Sequence, residues 1–514
     1  MNRLQKIAQL FSPAAFVHDS EEEIQKLEQL IKLQQIGGVT FFHSRHSAAA
    51  NFEGRQEKLT FDNSLEKLKS LIKRYQSISK TPLLISIDAE FGLAMRIEQT
   101  PQYPYAITLG QLPIEMEPLI FESGKLIGED LKAIGIHLNL APVADCNTNP
   151  NNPVIGYRAF GDDKEKVSRF ALAQYKGMIA GGIAACYKHF PGHGDTAVDS
   201  HLGLPIIDKT KEQLLQEELY PFIAGIKQGV DMIMVGHLAV PALTKGERLP
   251  ASLSKHVLKN LLREELGFNG IVISDALNMK AVSELYPTKG ELEWKAFDAG
   301  NDILCFSENI TEGIHYINQN ATDEQIDLSY QRIYNLKNKL GLNTASKPTF
   351  SKLNDNKANT FNQIVAQQLF NTHWDKAQIT HLLKPKDKIA FIAAFNNLED
   401  LKTLEFNNLN FHETHQLEDL NQQKLDLITE EQACILGIFL PSAKPINQFG
   451  MDQASIDKIK VLSQNPNVLI IHFGNPLATK IFITSQSKST ILQAYQALPE
   501  FQSQAWNHLQ TLRT

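Results

Sequence analysis

The sequence predicts an α/β protein in which a (β/α)8 barrel is followed by a smaller α/β sandwich domain. Two observations support this prediction. Eight strand-length apolar runs alternate with amphipathic helical segments in the first part of the chain, and such an order gives a parallel sheet that closes as a barrel at eight strands. A shorter series of apolar runs then follows a polar stretch. An open, doubly wound sheet also fits the first series, because periodicity does not reveal closure.

The apolar runs of the first series have the length of buried strands. They are Leu10–His18, Gly37–Phe42, Pro82–Asp88, His137–Asp145, Ala184–Phe190, Met232–His237, Gly270–Ala276 and Asn301–Phe306. The helical segments between them are Glu21–Gln35, Lys67–Ile78, Glu117–Ile134, Lys164–Ile179 and Gln213–Lys227. The first helix follows Asp19 and Ser20, either of which can cap its N-terminus.

Composition sets the domain boundaries. A helix over Asp327–Leu340 ends at Gly341, and the stretch after it is rich in Ser, Lys and Asn, which is typical of a linker. We therefore assign residues 1–342 to the barrel, 343–360 to the linker and 361–514 to the sandwich domain. The strands expected in the sandwich domain are Lys388–Phe395, Ala433–Leu440, Val468–Gly474 and Ser489–Ala494.

Charge and hydropathy exclude several classes of protein. A net charge of −7 over 514 residues lacks the basic surplus of a nucleic-acid-binding protein. No apolar run approaches the roughly 18 residues that span a bilayer. The N-terminal apolar stretch is interrupted by Gln9, Ser12 and Pro13, which makes a poor secretory signal. The four cysteines lie far apart and indicate neither a disulfide framework nor a zinc site. We expect a cytoplasmic protein.

Five of the eight predicted strands end in ionisable residues, and barrel active sites lie at the carboxyl ends of the strands. These residues are Asp88, Asp145, Lys188 with His189, His237 and Asp275. One polar strand end is usually a helix cap. Five of eight indicate a polar site above an apolar barrel.

The densest group of ionisable residues runs from Lys188 to His201. It holds three histidines, two aspartates and a lysine in 14 residues. Asp199 lies two residues before His201, so in a turn its carboxylate can orient the imidazole and raise its pKa, which suits proton transfer near neutrality. His193 is the rival proton carrier or a structural residue. Lys188 and His189 either bind sugar hydroxyls or form a buried polar network.

Two further segments present candidate residues. Asp275, at the end of the strand Gly270–Ala276, is a candidate nucleophile or a helix cap. Asp88 shares a strand face with Glu90, and its carboxylate can clamp sugar hydroxyls with Arg96 holding it by a bidentate pair, unless these residues form an ordinary surface ion pair. The loop after the fourth strand presents Arg158, which is a further candidate or a surface residue.

These residues stand in motifs that resemble the β-N-acetylglucosaminidases of glycoside hydrolase family 3. Lys188–Pro205 (KHFPGHGDTAVDSHLGLP) is similar to the signature of that family. Segments that agree in order are IGGVTFF at Ile36–Phe42, NLAPVAD at Asn139–Asp145, NPVIGYRAFG at Asn152–Gly161, PASLS at Pro250–Ser254 and GFNGIVISDALNMKAV at Gly267–Val282. The resemblance covers about the first 340 residues, and the barrel is the fold that it implies.

The resemblance implies a retaining exo-hydrolase that releases terminal β-linked N-acetylglucosamine without a metal or other cofactor. It assigns Asp275 as the nucleophile, and Asp199 with His201 as an Asp-His dyad in which His201 is the acid/base. It assigns the sugar-binding role to Asp88, Arg96, Arg158, Lys188 and His189. The expected substrates are muropeptide fragments of peptidoglycan, as in bacterial cell-wall recycling, or chitooligosaccharides.

One motif departs from the family pattern. After the third strand the family commonly reads Asp-x-Glu-Gly-Gly-Arg, whereas Phe91 and Leu93 replace a glycine and an arginine here. Phe91 either lines the sugar site or packs beneath it.

Two alternatives remain from the residues alone. The first is a metal-dependent hydrolase, because the region is rich in ligand-type residues. These are His189, His193, Asp195, Asp199, His201, His237 and Asp275. The second is a catalytically silent carbohydrate-binding protein, which the altered third-strand motif leaves open.

Overall fold

The structure is a computed structural model that describes residues 1–45, 61–196, 203–343, 348–375, 377, 379–380, 388–401 and 403–513. The chain divides into two compact units. The first comprises Met1–Ala106 and Pro113–Ala358, and the second comprises Ile107–Leu112 and Asn359–Thr514. Among the described residues, no helix is both long and apolar enough to cross a membrane.

Parallel strands form the centre of the first unit, and each of the eight predicted strand regions contains one or two of them. They are β1 (Phe11–Ser12), β2 (Ala14–Phe16), β3 (Gly38–Phe42), β4 (Leu84–Ile87), β5 (Leu138–Asn139), β6 (Ala184–Ala185), β7 (Tyr187–Phe190), β8 (Met232–Val235), β9 (Ile271–Ser274) and β10 (Leu304–Cys305). Strands β1 and β2 are separated only by Pro13, which has no N–H to donate to a neighbouring strand. Its carbonyl still accepts a hydrogen bond from the Thr40 N–H, at 2.9 Å.

The pairing order follows the chain. Strands β2 to β6 form one sheet in sequential order, β7 to β9 form another, and β1 pairs with β10. Every one of these pairings is parallel. Isolated parallel bridges join Val143 to Lys188 and Ile273 to Ile303. Because neighbouring strands are parallel, the residues that follow them lie at one edge.

Helices occupy the intervals between these strands. The longer ones are Glu21–Gln34, Ser64–Ile78, Glu117–Ala133, Lys164–Ala180, Glu291–Ala299, Ile310–Asn320 and Asp323–Lys339, with a π-type helix at His256–Glu265. The shorter ones are Arg3–Ala8, Ala106–Leu109, Lys211–Gln216, Tyr220–Lys227 and Lys280–Ser283. Ser20 caps the helix Glu21–Gln34 by accepting the Glu23 N–H.

The prediction of one helix over Gln213–Lys227 is wrong. The chain forms two helices there, Lys211–Gln216 and Tyr220–Lys227. Glu217 between them has φ −121° and ψ −87°, which is not a helical conformation. Pro221 lies in the first turn of the second helix. Backbone N–H groups in the first turn have no acceptor within the helix, so proline removes no helical hydrogen bond there.

The second unit contains a five-stranded parallel sheet in the order β12-β11-β13-β14-β15. Its strands are β11 (Ile389–Ala394), β12 (Glu413–Gln416), β13 (Ala433–Phe439), β14 (Val468–Phe473) and β15 (Thr490–Gln493). Its helices are Asp355–His373, which begins in the first unit, Leu398–Leu401, Leu404–Asn407, Gln422–Glu431, Gln453–Ser463, Thr479–Phe482 and Pro499–Arg513. The edge strand β12 escaped prediction because it is polar and only partly buried, so it carries no apolar run.

Candidate active site

The five predicted sugar-binding residues come together at the edge where the strands of the first unit end. Asp88 directly follows β4, and Lys188 and His189 lie within β7. Arg96 lies in the segment after β4, and Arg158 ends a short 3-10 helix, Gly156–Arg158. Residues far apart in sequence therefore share one polar cluster.

Lys188 is the centre of this cluster. Its side chain is buried, and its Nζ lies 2.7 Å from Oδ1 of Asp88 and 2.7 Å from Oε1 of Glu90. Burial by itself raises the pKa of Asp88, but the charges of Lys188 and Arg96 outweigh it and hold that pKa below its usual value. Burial likewise opposes ionisation of Glu90, and Arg158 and Lys188 reverse the effect. Both carboxylates are thus ionised at neutral pH.

Arg158, rather than Arg96, makes the bidentate contact that the sequence suggested for Arg96. Its Nη2 donates to Oε1 of Glu90 at 2.7 Å and its Nε to Oε2 at 3.0 Å. Arg96 approaches Asp88 at a single point, 3.5 Å from Nη2 to Oδ2, and its guanidinium lies 3.9 Å from the centre of the Phe42 ring. The bidentate prediction for Arg96 and Asp88 is therefore wrong, because the Phe42 ring shares the guanidinium.

A second pair orients His189. Its Nδ1 donates to Oδ2 of Asp145 at 2.7 Å, and Nη2 of Arg158 lies 3.3 Å from its Nε2. Asp145 is fully buried and also accepts the backbone N–H of His193 at 2.8 Å. Burial opposes ionisation of Asp145, but the charge and hydrogen bond of His189 lower its pKa. The carboxylate therefore orients the His189 ring so that Nε2 faces Arg158.

The loop after β7 packs tightly against the segment that follows β5. A Cβ on Gly194 would lie 1.6 Å from the carbonyl oxygen of Cys146, so only glycine allows this approach. Asn152 donates to the carbonyl of His193 at 2.8 Å. Burial and the neighbouring His189 lower the pKa of His193 to about 4, so His193 is neutral at physiological pH.

The remaining predicted catalytic residues fall in two places. Asp199 and His201 lie outside the described residues. Asp275 directly follows β9; its backbone N–H donates to Val235 at 3.0 Å, and its Oδ1 accepts the N–H of Ala276 at 2.8 Å. It is partly exposed, and its charge acts on His193, whose pKa it raises against the effect of burial.

His237, a strand-end histidine, contacts the segment that follows Asp275. It is fully buried, with Nε2 3.0 Å from the carbonyl oxygen of Ala276 and Nδ1 2.7 Å from Oγ of Ser252. An imidazole that donates through Nε2 and accepts through Nδ1 satisfies both contacts. His237 therefore positions the residue next to Asp275.

An aromatic group flanks the carboxylates. Phe91 and Tyr105 meet edge to face with ring centres 4.8 Å apart, and Tyr105 meets Tyr157 at the same distance. All three side chains are partly exposed. Of these residues only Phe91 was recognisable from the sequence, because both tyrosines carry no motif signal beyond the position of Tyr157 beside Arg158.

Glu90 and Asp145 were recognised as polar strand-end residues but not assigned to the site. The signals were present, since Glu90 shares a face with Asp88 by the period of a strand and Asp145 closes an apolar run. Neither signal indicates which residues of the neighbouring strands these two carboxylates contact.

Comparison with known proteins gives a consistent result. Residues 4–336 match the family model for the glycosyl hydrolase family 3 N terminal domain. The β-hexosaminidase A of Pseudoalteromonas piscicida is 33% identical over 403 residues, which cover 71% of this chain and 65% of that protein. A β-hexosaminidase of Neisseria meningitidis is 33% identical over 291 residues, which cover 55% of this chain and 74% of that protein. The match thus spans just under two thirds of the Pseudoalteromonas relative.

One solved structure aligns with this chain over nearly the whole length of both proteins. The glycoside hydrolase family 3 β-N-acetylglucosaminidase from Paenibacillus sp. str. FPU-7 superposes with a TM-score of 0.75 at 25% identity. The alignment covers 100% of this chain and 97% of that one. Both compact units therefore have counterparts in a single known architecture.

Proposed function

The chain belongs to glycosyl hydrolase family 3, the family that its motifs predicted, and from that premise we propose that it is a β-N-acetylhexosaminidase. The reaction is hydrolysis of a terminal, non-reducing β-linked N-acetylglucosamine. Relatives at 33% identity are β-hexosaminidases. The observation that carries the proposal is the charged cluster around Lys188, because buried, closely paired charges with shifted pKa values at the ends of the strands are typical of a functional site.

The proposed architecture is a closed (β/α)8 barrel over residues 1–342, a linker over 343–360 and an α/β sandwich domain over 361–514. The pairing of β1 with β10 and the bridge from Ile273 to Ile303 support closure, since they link the last strands to the first. The bridge from Val143 to Lys188 links the two longer sheets in the same way. The five-stranded sheet supports the assignment of the second domain.

The charged cluster suits recognition of a sugar ring. The Asp88 carboxylate accepts hydroxyl hydrogens, and Lys188, Arg158 and Arg96 donate around it. Nε of Arg96 is buried and has no hydrogen-bond partner among the described residues. An unsatisfied buried donor costs free energy, and a sugar oxygen supplies the missing acceptor. His189, oriented by Asp145, completes the set.

The proposed mechanism is a double displacement with retained configuration. Asp275 attacks the anomeric carbon while His201, oriented by Asp199, protonates the glycosidic oxygen. The bond to the leaving group breaks as the bond to Asp275 forms, which gives a covalent glycosyl-enzyme. His201 then removes a proton from water, which attacks the same carbon and releases the sugar and the Asp275 carboxylate. No step in this scheme uses a metal.

Two classes of natural substrate fit the proposal, muropeptide fragments of peptidoglycan and chitooligosaccharides. Both end in β-linked N-acetylglucosamine and present the same ring to the cluster around Lys188. They differ only in the leaving group, so comparison of turnover with purified muropeptides and with chitobiose distinguishes the two classes.

The decisive experiment measures release of 4-methylumbelliferone from the N-acetyl-β-glucosaminide and from the matching β-glucoside. We expect strong preference for the N-acetyl sugar, loss of turnover in Asp275→Ala, turnover that persists in the presence of a chelator, and a first-formed product in the β configuration by NMR. Turnover abolished by chelator indicates a metal-dependent hydrolase. A folded protein that binds N-acetylglucosamine and turns over neither substrate is a carbohydrate-binding protein. Either result overturns the proposal.

A further inference from the structure

Two histidines and a glutamate meet beside the charged cluster without belonging to it. His18 lies two residues beyond β2, His43 lies directly after β3, and Glu98 lies in the segment that follows β4. The motifs that point to sugar binding and hydrolysis include none of the three.

The strand register brings the histidines together. Strands β2 and β3 pair in parallel with Phe16 opposite Phe42. The ladder continues beyond the strands, because the backbone N–H of His18 donates to the carbonyl of His43 at 3.1 Å. Both side chains therefore occupy one edge of the sheet, and their rings lie 5.1 Å apart, centre to centre.

The three side chains turn ligand atoms toward a common point. Nε2 of His43 lies 2.6 Å from Oε1 of Glu98. One nitrogen from each imidazole and one carboxylate oxygen all lie within 4.8 Å of one another. Tetrahedral zinc with bonds of about 2.1 Å holds its ligand atoms roughly 3.4 Å apart. The ligand atoms of the three side chains thus lie at most about 1.4 Å farther apart than zinc requires.

The surroundings hold these side chains in place. Ser64 lies 2.9 Å from Nε2 of His18 and donates its hydroxyl to Oε2 of Glu98. The ring of Phe61 stacks on His18 with centres 3.9 Å apart. His43 is largely buried, and about a quarter of the Glu98 side chain is exposed. Solvent therefore reaches the cluster, and a water molecule can complete the coordination of a bound ion.

We propose that His18, His43 and Glu98 bind one divalent transition-metal ion, with Zn²⁺ the best match to two imidazoles and a carboxylate. Two neutral imidazoles and a carboxylate carry a net charge of −1, which a dication compensates. Water takes the fourth position. The proposal is independent of the proposed hydrolase activity, and the ion takes no part in the reaction.

The location gives the ion a structural role. Glu98 is two residues after Arg96, and His43 follows Phe42, the ring on which the Arg96 guanidinium rests. Binding through both side chains ties together the two segments that position Arg96. The ion thus fastens a part of the polar edge that the sugar cluster also uses.

The test is metal binding by the intact chain after dialysis against a chelator. Zn²⁺ is titrated in competition with a chromophoric chelator, and Co²⁺ replaces it as a spectroscopic probe. We expect one tightly bound equivalent and a tetrahedral Co²⁺ spectrum. Glu98→Gln and His43→Asn should lose both. Ser64→Ala should weaken binding by about 10-fold to 100-fold, because it removes an outer hydrogen bond to a ligand.

Two control variants locate the ion. His315→Asn changes an exposed histidine and should still bind one equivalent of Zn²⁺. Asp275→Asn should also bind one equivalent of Zn²⁺. Binding that persists in Glu98→Gln, or that vanishes in Asp275→Asn, overturns the proposal, as does absence of binding by the wild type. Circular dichroism of each metal-free variant checks its fold, and Glu98→Gln decides the question if His43→Asn does not fold.

Discussion

The ammonium of Lys188 lies 2.7 Å from Oδ1 of Asp88, a residue 100 positions earlier in the chain. The same ammonium contacts Glu90, so one buried cation holds two carboxylates that follow another strand. Without it, two negative charges would face each other in a poorly solvated place. Lys188 therefore holds both carboxylates in place and shapes the proposed sugar-binding cluster.

Lys188→Met should destabilise the protein at neutral pH. Removal of one partner from a buried ion pair typically costs about 3–5 kcal/mol. We expect the loss to shrink at acidic pH, because protonation of Asp88 or Glu90 relieves the repulsion. Urea unfolding at several pH values measures it. The control is Lys26→Met, which changes an exposed lysine with two surface partners and should leave the stability unchanged. Equal losses in both variants would contradict the prediction.

Lys337 should make stability depend on pH. Burial lowers its pKa to about 7, against about 10.4 in an unfolded chain. Between these values the unfolded chain binds more protons than the folded protein, so stability rises with pH, by at most about 1.4 kcal/mol per unit. Below pH 7 the cost of burying the lysine is fully present. We expect the urea midpoint to rise from pH 7 to pH 10.

Substitution of Lys337 separates its contribution to the pH dependence of stability from the contributions of other titrating groups. Lys337→Met should remove the slope, although Oε1 of Gln9 loses the hydrogen bond that Nζ donates at 2.8 Å. Lys339→Met is the matched control, because Lys339 lies two residues later on the same helix and is more than half exposed. It should keep the slope. The explanation fails if Lys337→Met titrates as the wild type does.

Gly194→Ala should damage both stability and activity. The new Cβ would lie 1.6 Å from the carbonyl oxygen of Cys146, so the backbone has to shift, at a cost of about 1–3 kcal/mol. The shift displaces His193 and the start of the loop toward His201, and kcat/KM should fall. Gly203→Ala is the control, since no other atom of the described residues lies within 4 Å of its Cβ position. Thermal unfolding and kinetics that do not distinguish the two variants would refute this account.

His201→Ala should affect substrates according to their leaving groups. A general acid contributes about 10²-fold to 10⁴-fold, and only a poor leaving group needs the proton. We expect a large loss of kcat for chitobiose and a small loss for an activated aryl N-acetyl-β-glucosaminide. His315→Asn serves as the control with no loss for either substrate. An activated substrate that reacts as slowly as chitobiose in His201→Ala argues against the acid role.

The helices and strands of the chain were predictable wherever burial left a local pattern. Each of the eight predicted strand regions of the first unit contains a parallel strand, because apolar runs of that length occur where both faces of a sheet are covered. Strand β12 was missed, since a partly exposed edge strand carries no such run. The break at Glu217 was also missed, because the apolar spacing continues through it.

The sequence by itself determined the order of strands and helices, the family, and the polar residues that end the strands. These features depend on residues close together in the chain or on short sequence motifs that are recognisable without the structure. Tertiary structure decided which charges pair. Arg158 holds Glu90, Lys188 bridges Asp88 and Glu90, and Asp145 orients His189. These pairs join different strands, and the free energy of a buried ion pair depends on distances that only the packed sheet sets.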